Sequence, residues 1–431
     1  MRNSAQNRST RHVAVIGAAA ATALVLAACG GGDTEPGATA DGGATADGAG
    51  GDGTVTVWHY FSADNQVKLM DDYAAKFEET HEGVTVENVY VPYDQMNSKV
   101  ISAAGQETGP DIVVFNGAEW STLALAGALA PMEEQWDGFA DADQFPDSVI
   151  HGMDDHVYAV QGYVNLLGLW YNAEILEEIG VEPPTSIEEL EAAMAAATEA
   201  GYQGITLSGL PQSQGEWQAY PWLTSQGFDY SDLDEQALTD GFAMVRGWVE
   251  DGYLSQEATT WDQTVPFQEF TAGDVAFAAN GNWQMGTAEA DAGFEYGVVP
   301  LPVGETGKVY LGGEGQSIGA FSDDPDLAWE YLTETYFDTD GQLLAVENVG
   351  SIPSRLDASQ EPAVTDNALL EPFATTLAEN GANYPDPVVP PENVADLQTA
   401  MGQAWSAALG GQRSPEDAAA DVIAQIQGLI G

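Results

Sequence analysis

Cysteine occurs once in the 431 residues, at Cys29, so no disulfide can close within the chain. The five histidines (His12, His59, His81, His151, His156) show no H-E-x-x-H spacing, and a single thiol cannot build a zinc cluster. No metal site and no cofactor are expected. Basic residues are scarce: 10 Lys and Arg stand against 68 Asp and Glu, a formal charge of −58. A chain so poor in cations cannot neutralise phosphates, which excludes nucleic acid and docking on anionic lipid. Beyond the first 28 residues no apolar run approaches the roughly 18 residues of a membrane span. The P-loop, the G-x-G-x-x-G turn after a strand and the G-x-S-x-G elbow are also missing, so no catalytic residues are assigned. Acids are so frequent that two of them close in sequence say nothing about a glycosidase pair.

What is present begins with a tripartite N-terminus. Met1–His12 carries Arg2, Arg8 and Arg11 without an acid; Val13–Leu26 is almost wholly Ala, Val, Ile and Leu; Ala27-Ala28 precedes Cys29. This reads as an export signal over 1–28. Leu26-Ala27-Ala28-Cys29 resembles the lipobox of bacterial lipoproteins, which implies cleavage before Cys29 and a diacylglyceryl group on its sulfur. Two or more acyl chains anchor stably, so Cys29 is expected to tether the chain to the outer face of the cytoplasmic membrane. Residues 29–53 are, apart from Cys29, Glu35 and Pro36, all Gly, Ala, Asp and Thr, without an aromatic or large aliphatic side chain, a linker unable to bury a core and reaching roughly 25–30 Å. Without residues 1–28 the chain keeps seven basic side chains against 68 acids, a formal charge of −61. The acids are scattered, which suits a solvated surface in a saline exterior.

The body from Thr54 is too long for one ordinary core. "TVTVWHYFS" is an alternating strand; Asp64–Thr80 follows as a helix with Val67, Met70, Ala74 and Phe77 on one face; "GVTVENVYV" and "DIVVF" are further strands. Strand and helix alternate, the pattern of an α/β protein with parallel pairing. A second such cycle starts near "HVYAVQGYVNLLGLWYN". Ser186 with Glu189 reads as a capping box, Gly201 closes that helix, and Pro325 and Pro415 open two more. Trp170 with Tyr171, and Trp222, Trp248, Trp329 and Trp405, fall among apolar neighbours as core.

Four strand-end segments, "WHYFS", "VVFNGAEW", "QGEWQAYPW" and "ANGNWQM", each pair a flat aromatic with Asn, Gln, Glu or Ser. Open α/β sheets take ligands beyond the carboxyl ends of their strands. A sugar needs that pairing: a ring for its C–H face and fixed donors and acceptors for its hydroxyls. In order, "VTVWHYFS", "GPDIVVFNGAEWSTLALAGALAPM", "HVYAVQGYVNLLGLWYNAEIL", "PPTSIEEL", "FTAGDVAFAANGNWQM", "YGVVPLP", "GGEGQSIGA" and "GSIPSR" resemble the sugar-binding class of ABC-transporter extracellular solute-binding proteins, which includes the maltose-binding proteins. The resemblance implies a two-lobed periplasmic-binding-protein-like fold of type II. The lobes would be 54–163 with 309–349 and 164–308 with 350–431, each a sheet flanked by helices, with ligand in the cleft between them.

The resemblance also implies ligand contacts. His59, Tyr60 and Ser62 follow the first strand; Asn116, Glu119 and Trp120 lie in the loop after "PDIV". Ala118-Glu119 replaces the Asp-Arg pair of the maltose binders, a departure that argues against maltodextrin itself. Asn165 falls at a crossover, Trp217 and Trp283 match stacking rings, Asn280 precedes Trp283, Gly312 and Gly313 edge the cleft, and Arg355 reaches the ligand or braces the hinge. The partners implied are a carbohydrate and the permease subunits of an ABC transporter, the receptor acting as a monomer without catalysis. Two alternatives stay open on the residues alone: a lipid-anchored glycan hydrolase, and the same fold holding a polyamine or another cation between acids and aromatics.

Overall fold

Val55, Val57 and His59 alternate inward along Thr54–His59, and the wholly apolar "IVVF" stretch is buried on both faces, so each becomes an interior strand. The computed structural model describes residues 53–430. Six strands form the first sheet, in the order Thr85–Tyr90, Thr54–His59, Ile112–Asn116, Glu314–Ile318, His156–Val160 and Ile150–Met153. Thr54–His59 is parallel to both of its neighbours, whereas Glu314–Ile318 enters antiparallel. Four strands form the second sheet, in the order Tyr296–Val299, Leu167–Asn172, Val275–Gly281 and Gln203–Thr206. Helices cover both sheets, which gives the two-lobed α/β architecture expected.

Local signals act where the sequence places them. Ser186 Oγ accepts the Glu189 N–H at 3.2 Å, while the Glu189 carboxylate reaches back to the Thr185 N–H and hydroxyl, both at 2.8 Å, one residue earlier than a standard box. Gly201 closes that helix at φ +100, and Asp324 Oδ1 accepts the Leu327 N–H at 3.1 Å ahead of the Pro325 helix. Trp170, Trp222, Trp248 and Trp405 are fully buried in the second lobe; Trp329 and Tyr171 are only partly so. One expected face is turned. Helix Asp64–Thr80 buries Leu69, Met70, Tyr73 and Phe77 and leaves Val67 exposed. The cause is Tyr73, whose ring enters the core while its hydroxyl finds the Gly341 carbonyl of helix Thr339–Val349 at 3.1 Å.

The chain passes between the sheets three times. Tyr163–Val164 pairs antiparallel with Ile352–Pro353, and Asn165 bridges Gly312. Val309–Leu311 pairs with Gly381–Asn383, so that chain changes lobe at Gly312-Gly313. Asn282, fully buried at the end of the second sheet, locks the passages together. Its amide donates to Asn165 Oδ1 and to the Gly350 carbonyl, each at 2.8 Å, and its Oδ1 accepts the Leu166 N–H at 2.9 Å.

Candidate ligand-binding cleft

The parallel strands Thr54–His59 and Ile112–Asn116 end at the same edge of the first sheet, and the antiparallel strand starts there, which sets Glu314 directly opposite Asn116. Beyond this edge, between the two sheets, lies a cleft of about 1170 Å³. Its first wall presents Tyr60, Tyr93, Asn116 and Glu119; its second presents Gln214, Trp217, Gln263, Trp283, Gln284 and Tyr384. Tyr163, Asn165, Gly312, Gly313, Glu314 and Ser351 form the base at the crossovers.

On the first wall Tyr60 donates its hydroxyl to Glu314 Oε1 at 2.9 Å, and its ring meets Tyr93 edge to face at 5.1 Å. Asn116 donates to the Tyr93 hydroxyl at 3.2 Å and turns its Oδ1 onto the Ala118 N–H at 3.0 Å, capping the short turn that carries Glu119. Asn97 donates to Glu119 Oε2 at 2.9 Å, which offsets part of the rise in pKa that burial imposes on that carboxyl. Glu314 is 8% exposed, and burial pushes its carboxyl up to about 7 against the pull of the neighbouring Tyr60 and Tyr163 hydroxyls. The Tyr163 hydroxyl lies beside the carboxyl without forming an aligned bond, and Oε2 of Glu314 has no partner.

On the second wall Trp217 is 7% exposed: Tyr384 meets it edge to face at 4.7 Å and Tyr310 lies 5.8 Å from it. Behind it Glu216 accepts the hydroxyls of Tyr310 at 2.8 Å and Tyr230 at 3.1 Å, and burial pushes its carboxyl up to about 8. Gly312 gives the Trp217 indole its seat, since a Cβ there would overlap the ring. Trp283 is only partly buried and folds over Gly281, whose missing side chain leaves room for the indole. Rings that line a cleft beside amides and hydroxyls can hold a flat, polyhydroxylated ligand, and of the two indoles Trp283 is the more exposed.

Of the residues singled out in the sequence, Tyr60, Asn116, Glu119, Asn165, Trp217, Trp283, Gly312 and Gly313 come together around this cleft. Five others do not line it. His59 alternates with Tyr60 and therefore faces the other way; its Nδ1 accepts the Phe61 N–H at 3.2 Å, and with Ser62 it borders a separate small cavity. Trp120 is core, stacked on buried His151 at 5.8 Å. Asn280 is fully buried, its amide on the Gln263 carbonyl and its Oδ1 on the Gly281 N–H, both at 2.9 Å. Arg355, 5% exposed, is fixed by Asp357 at 2.7 Å, Asp141 at 3.1 Å and the Phe337 carbonyl at 2.8 Å. Cys29 lies outside the described residues. Gln214 and Gln284 stand in two of the strand-end segments singled out above but were not named, and Tyr93, Gln263, Ser351 and Tyr384 carried no such signal; Glu314 carried one, an acid directly after two hinge glycines.

Residues 72–372 match the family described as bacterial extracellular solute-binding protein. The chain belongs to that family. The melibiose/raffinose/stachyose-binding protein MelE of Bacillus subtilis (strain 168) is 23% identical over 299 residues, 64% of this chain and 67% of its own length. A lactose-binding protein of Rhizobium radiobacter is 23% identical over 312 residues, 66% of this chain and 70% of its own. The GacH receptor of Streptomyces glaucescens GLA.O, solved unliganded and with acarbose, superposes with a TM-score of 0.78 at 25% identity, covering 88% of this chain and 98% of that one. The cyclic alpha-maltosyl-1,6-maltose binding protein of Arthrobacter globiformis gives 0.75 at 23% identity, covering 88% and 99%. These relatives are binding proteins. Among the described residues no helix is long and apolar enough to cross a membrane.

Proposed function

We propose that this chain is the sugar-capturing receptor of an ABC-type importer, tethered through a lipid on Cys29 to the outer face of the cytoplasmic membrane. The observation that carries the reading is the cleft: two indoles, Trp217 and Trp283, face a wall of tyrosine, asparagine and glutamate across crossovers that can act as a hinge. Relatives named for melibiose, raffinose, stachyose and lactose support carbohydrate as the ligand class. In this reading the two lobes turn about Asn165, Gly312 and Gly350, close on the sugar and present their joined surface to a permease. ATP is hydrolysed on other subunits. The tether is supported by the single cysteine after "LAA" and by the core-less linker behind it, and it keeps the receptor at a high effective concentration near its permease. The receptor acts as a monomer and leaves the bonds of its ligand intact.

The test is calorimetric titration of neutral mono-, di- and trisaccharides against the wild type and Trp283→Ala. At least one sugar is expected to bind, and Trp283→Ala is expected to weaken it about tenfold, since part of a ring face is worth roughly 1–3 kcal/mol. No heat and no rise in melting temperature with any carbohydrate overturns the reading. Release of new reducing ends from an oligosaccharide would replace it by a hydrolase.

A further inference from the structure

Two of the hydrogen bonds of the Asn282 side chain go to backbone groups, whose polarity is fixed. A carbonyl only accepts and an N–H only donates, so the Gly350 carbonyl marks one end of the amide as Nδ2 and the Leu166 N–H marks the other as Oδ1. The second hydrogen of that Nδ2 goes to Asn165 at 2.8 Å, so the Asn165 atom receiving it is Oδ1, which also accepts the Ser351 hydroxyl at 3.4 Å. The Asn165 amide is thereby held one way round. Its backbone is held too, exchanging N–H···O bonds of 3.0 and 2.8 Å with Gly312. Asn165 lines the base of the cleft, and its Nδ2 bonds to no described residue while staying within reach of solvent. Asn282 is fully buried and does not line the cleft. An amide free to turn end for end serves a donor or an acceptor equally. One pinned by its neighbours offers a single polarity and gives up no rotational freedom when a ligand arrives.

We propose that Asn282 is a positioning residue: without touching the ligand, it makes the Asn165 Nδ2–H a fixed donor at the base of the cleft, and Asn165 uses that donor to read one acceptor oxygen of the sugar. This rests on the sugar reading above and deepens it. Asn165, Gly312 and Gly350 lie on the three passages between the lobes, so the sugar oxygen is read at the axis about which the lobes turn.

Calorimetric titration of the full-length protein tests it, using the tightest binder among xylose, glucose, galactose, maltose, lactose, melibiose and raffinose together with its monodeoxy analogues. One deoxy analogue should bind the wild type about tenfold more weakly than its parent, and the same pair should differ by less than about twofold on Asn165→Ala. Asn282→Ala should weaken the parent sugar about tenfold in the wild-type background and less than about twofold in the Asn165→Ala background, because Asn282 acts on the ligand through Asn165. Equal losses in both backgrounds would give Asn282 a purely structural role and overturn the proposal. Should Asn282→Ala fail to fold, a crystal structure of the wild type with that sugar decides. Asn165 Nδ2 within hydrogen-bond distance of a sugar oxygen, with Asn282 clear of the ligand and keeping its bonds, supports the proposal; an Nδ2 that meets no sugar oxygen, or an Asn282 on the ligand, overturns it. If every deoxy analogue loses as much on Asn165→Ala as on the wild type, this inference fails while the sugar reading stands. If none of these sugars binds, the sugar reading falls and this inference with it.

Discussion

At the scale of single residues, the buried ionisable groups oppose one another in pH. Burial raises Glu216 from 4.5 to about 8 and Glu314 from 4.5 to about 7, so the folded state holds protons that the unfolded state releases. Their contribution is present below about 4.5 and is lost as pH climbs through those higher values. Burial lowers His59 and His151 from 6.5 to about 4, so the folded state there binds fewer protons and loses stability as pH falls below 6.5. Between 4.5 and 6.5 the two pairs offset each other; between 6.5 and 8 only the carboxyls act. The melting temperature should therefore fall from pH 6.5 to pH 8 at constant salt, and Glu216→Gln should flatten much of that fall. Scanning calorimetry across the window checks it; a wild-type profile that is level or rising would show that neither carboxyl keeps its proton in the folded state.

At the scale of elements, the crossovers join the wall to the hinge. Gly312 is both a passage between lobes and the floor under Trp217, so its missing side chain has two uses. Gly313 sits at φ +119 against the Tyr163 carbonyl, where any side chain would be strained. Gly312→Ala is expected to push the indole aside and cost about 1–3 kcal/mol of stability from overpacking, with weaker binding of the same sugar in calorimetry. Unchanged affinity and melting temperature would mean the ring adapts at no cost. Most strands and helices were legible in advance from period and caps: the wholly apolar third strand, the Ser186 cap, the prolines at 325 and 415. The buried face of Asp64–Thr80 was not, since Val67 and Tyr73 fit the helical period equally well and only the neighbouring helix chose Tyr73.

At the scale of the whole molecule, charge dominates. Among the described residues, Lys68, Lys76, Arg246, Arg355 and Arg413 pair with acids, and Lys99 lies over the Trp58 ring at 4.6 Å. Seven basic side chains beyond residue 28 cannot compensate the acids of a chain carrying a net −58. Self-repulsion weakens the compact state, and its range shrinks from about 10 Å at 0.1 M salt to about 3 Å at 1 M. Raising sodium chloride from 0.1 to 1 M should lift the melting temperature. A flat or falling curve would show that the acids are already compensated locally.

Read alone, the chain determined its class and the rough place of its site. Alternating strands and helices dictate α/β layers, and aromatics with amides at strand ends mark where a polyhydroxylated ligand could lie, because pattern and composition are local properties. Tertiary structure alone decided which of those residues share a cleft. His59 and Tyr60 are adjacent in sequence, yet strand alternation sends them to opposite faces. Arg355 looked available until Asp141, 214 residues away, closed on it. Glu314 stands opposite Asn116 because one strand joins the first sheet antiparallel from far down the chain. The burial that raises its pKa, the hydroxyl of Tyr60 and its empty oxygen all follow from that placement, and no spacing in the sequence encodes them.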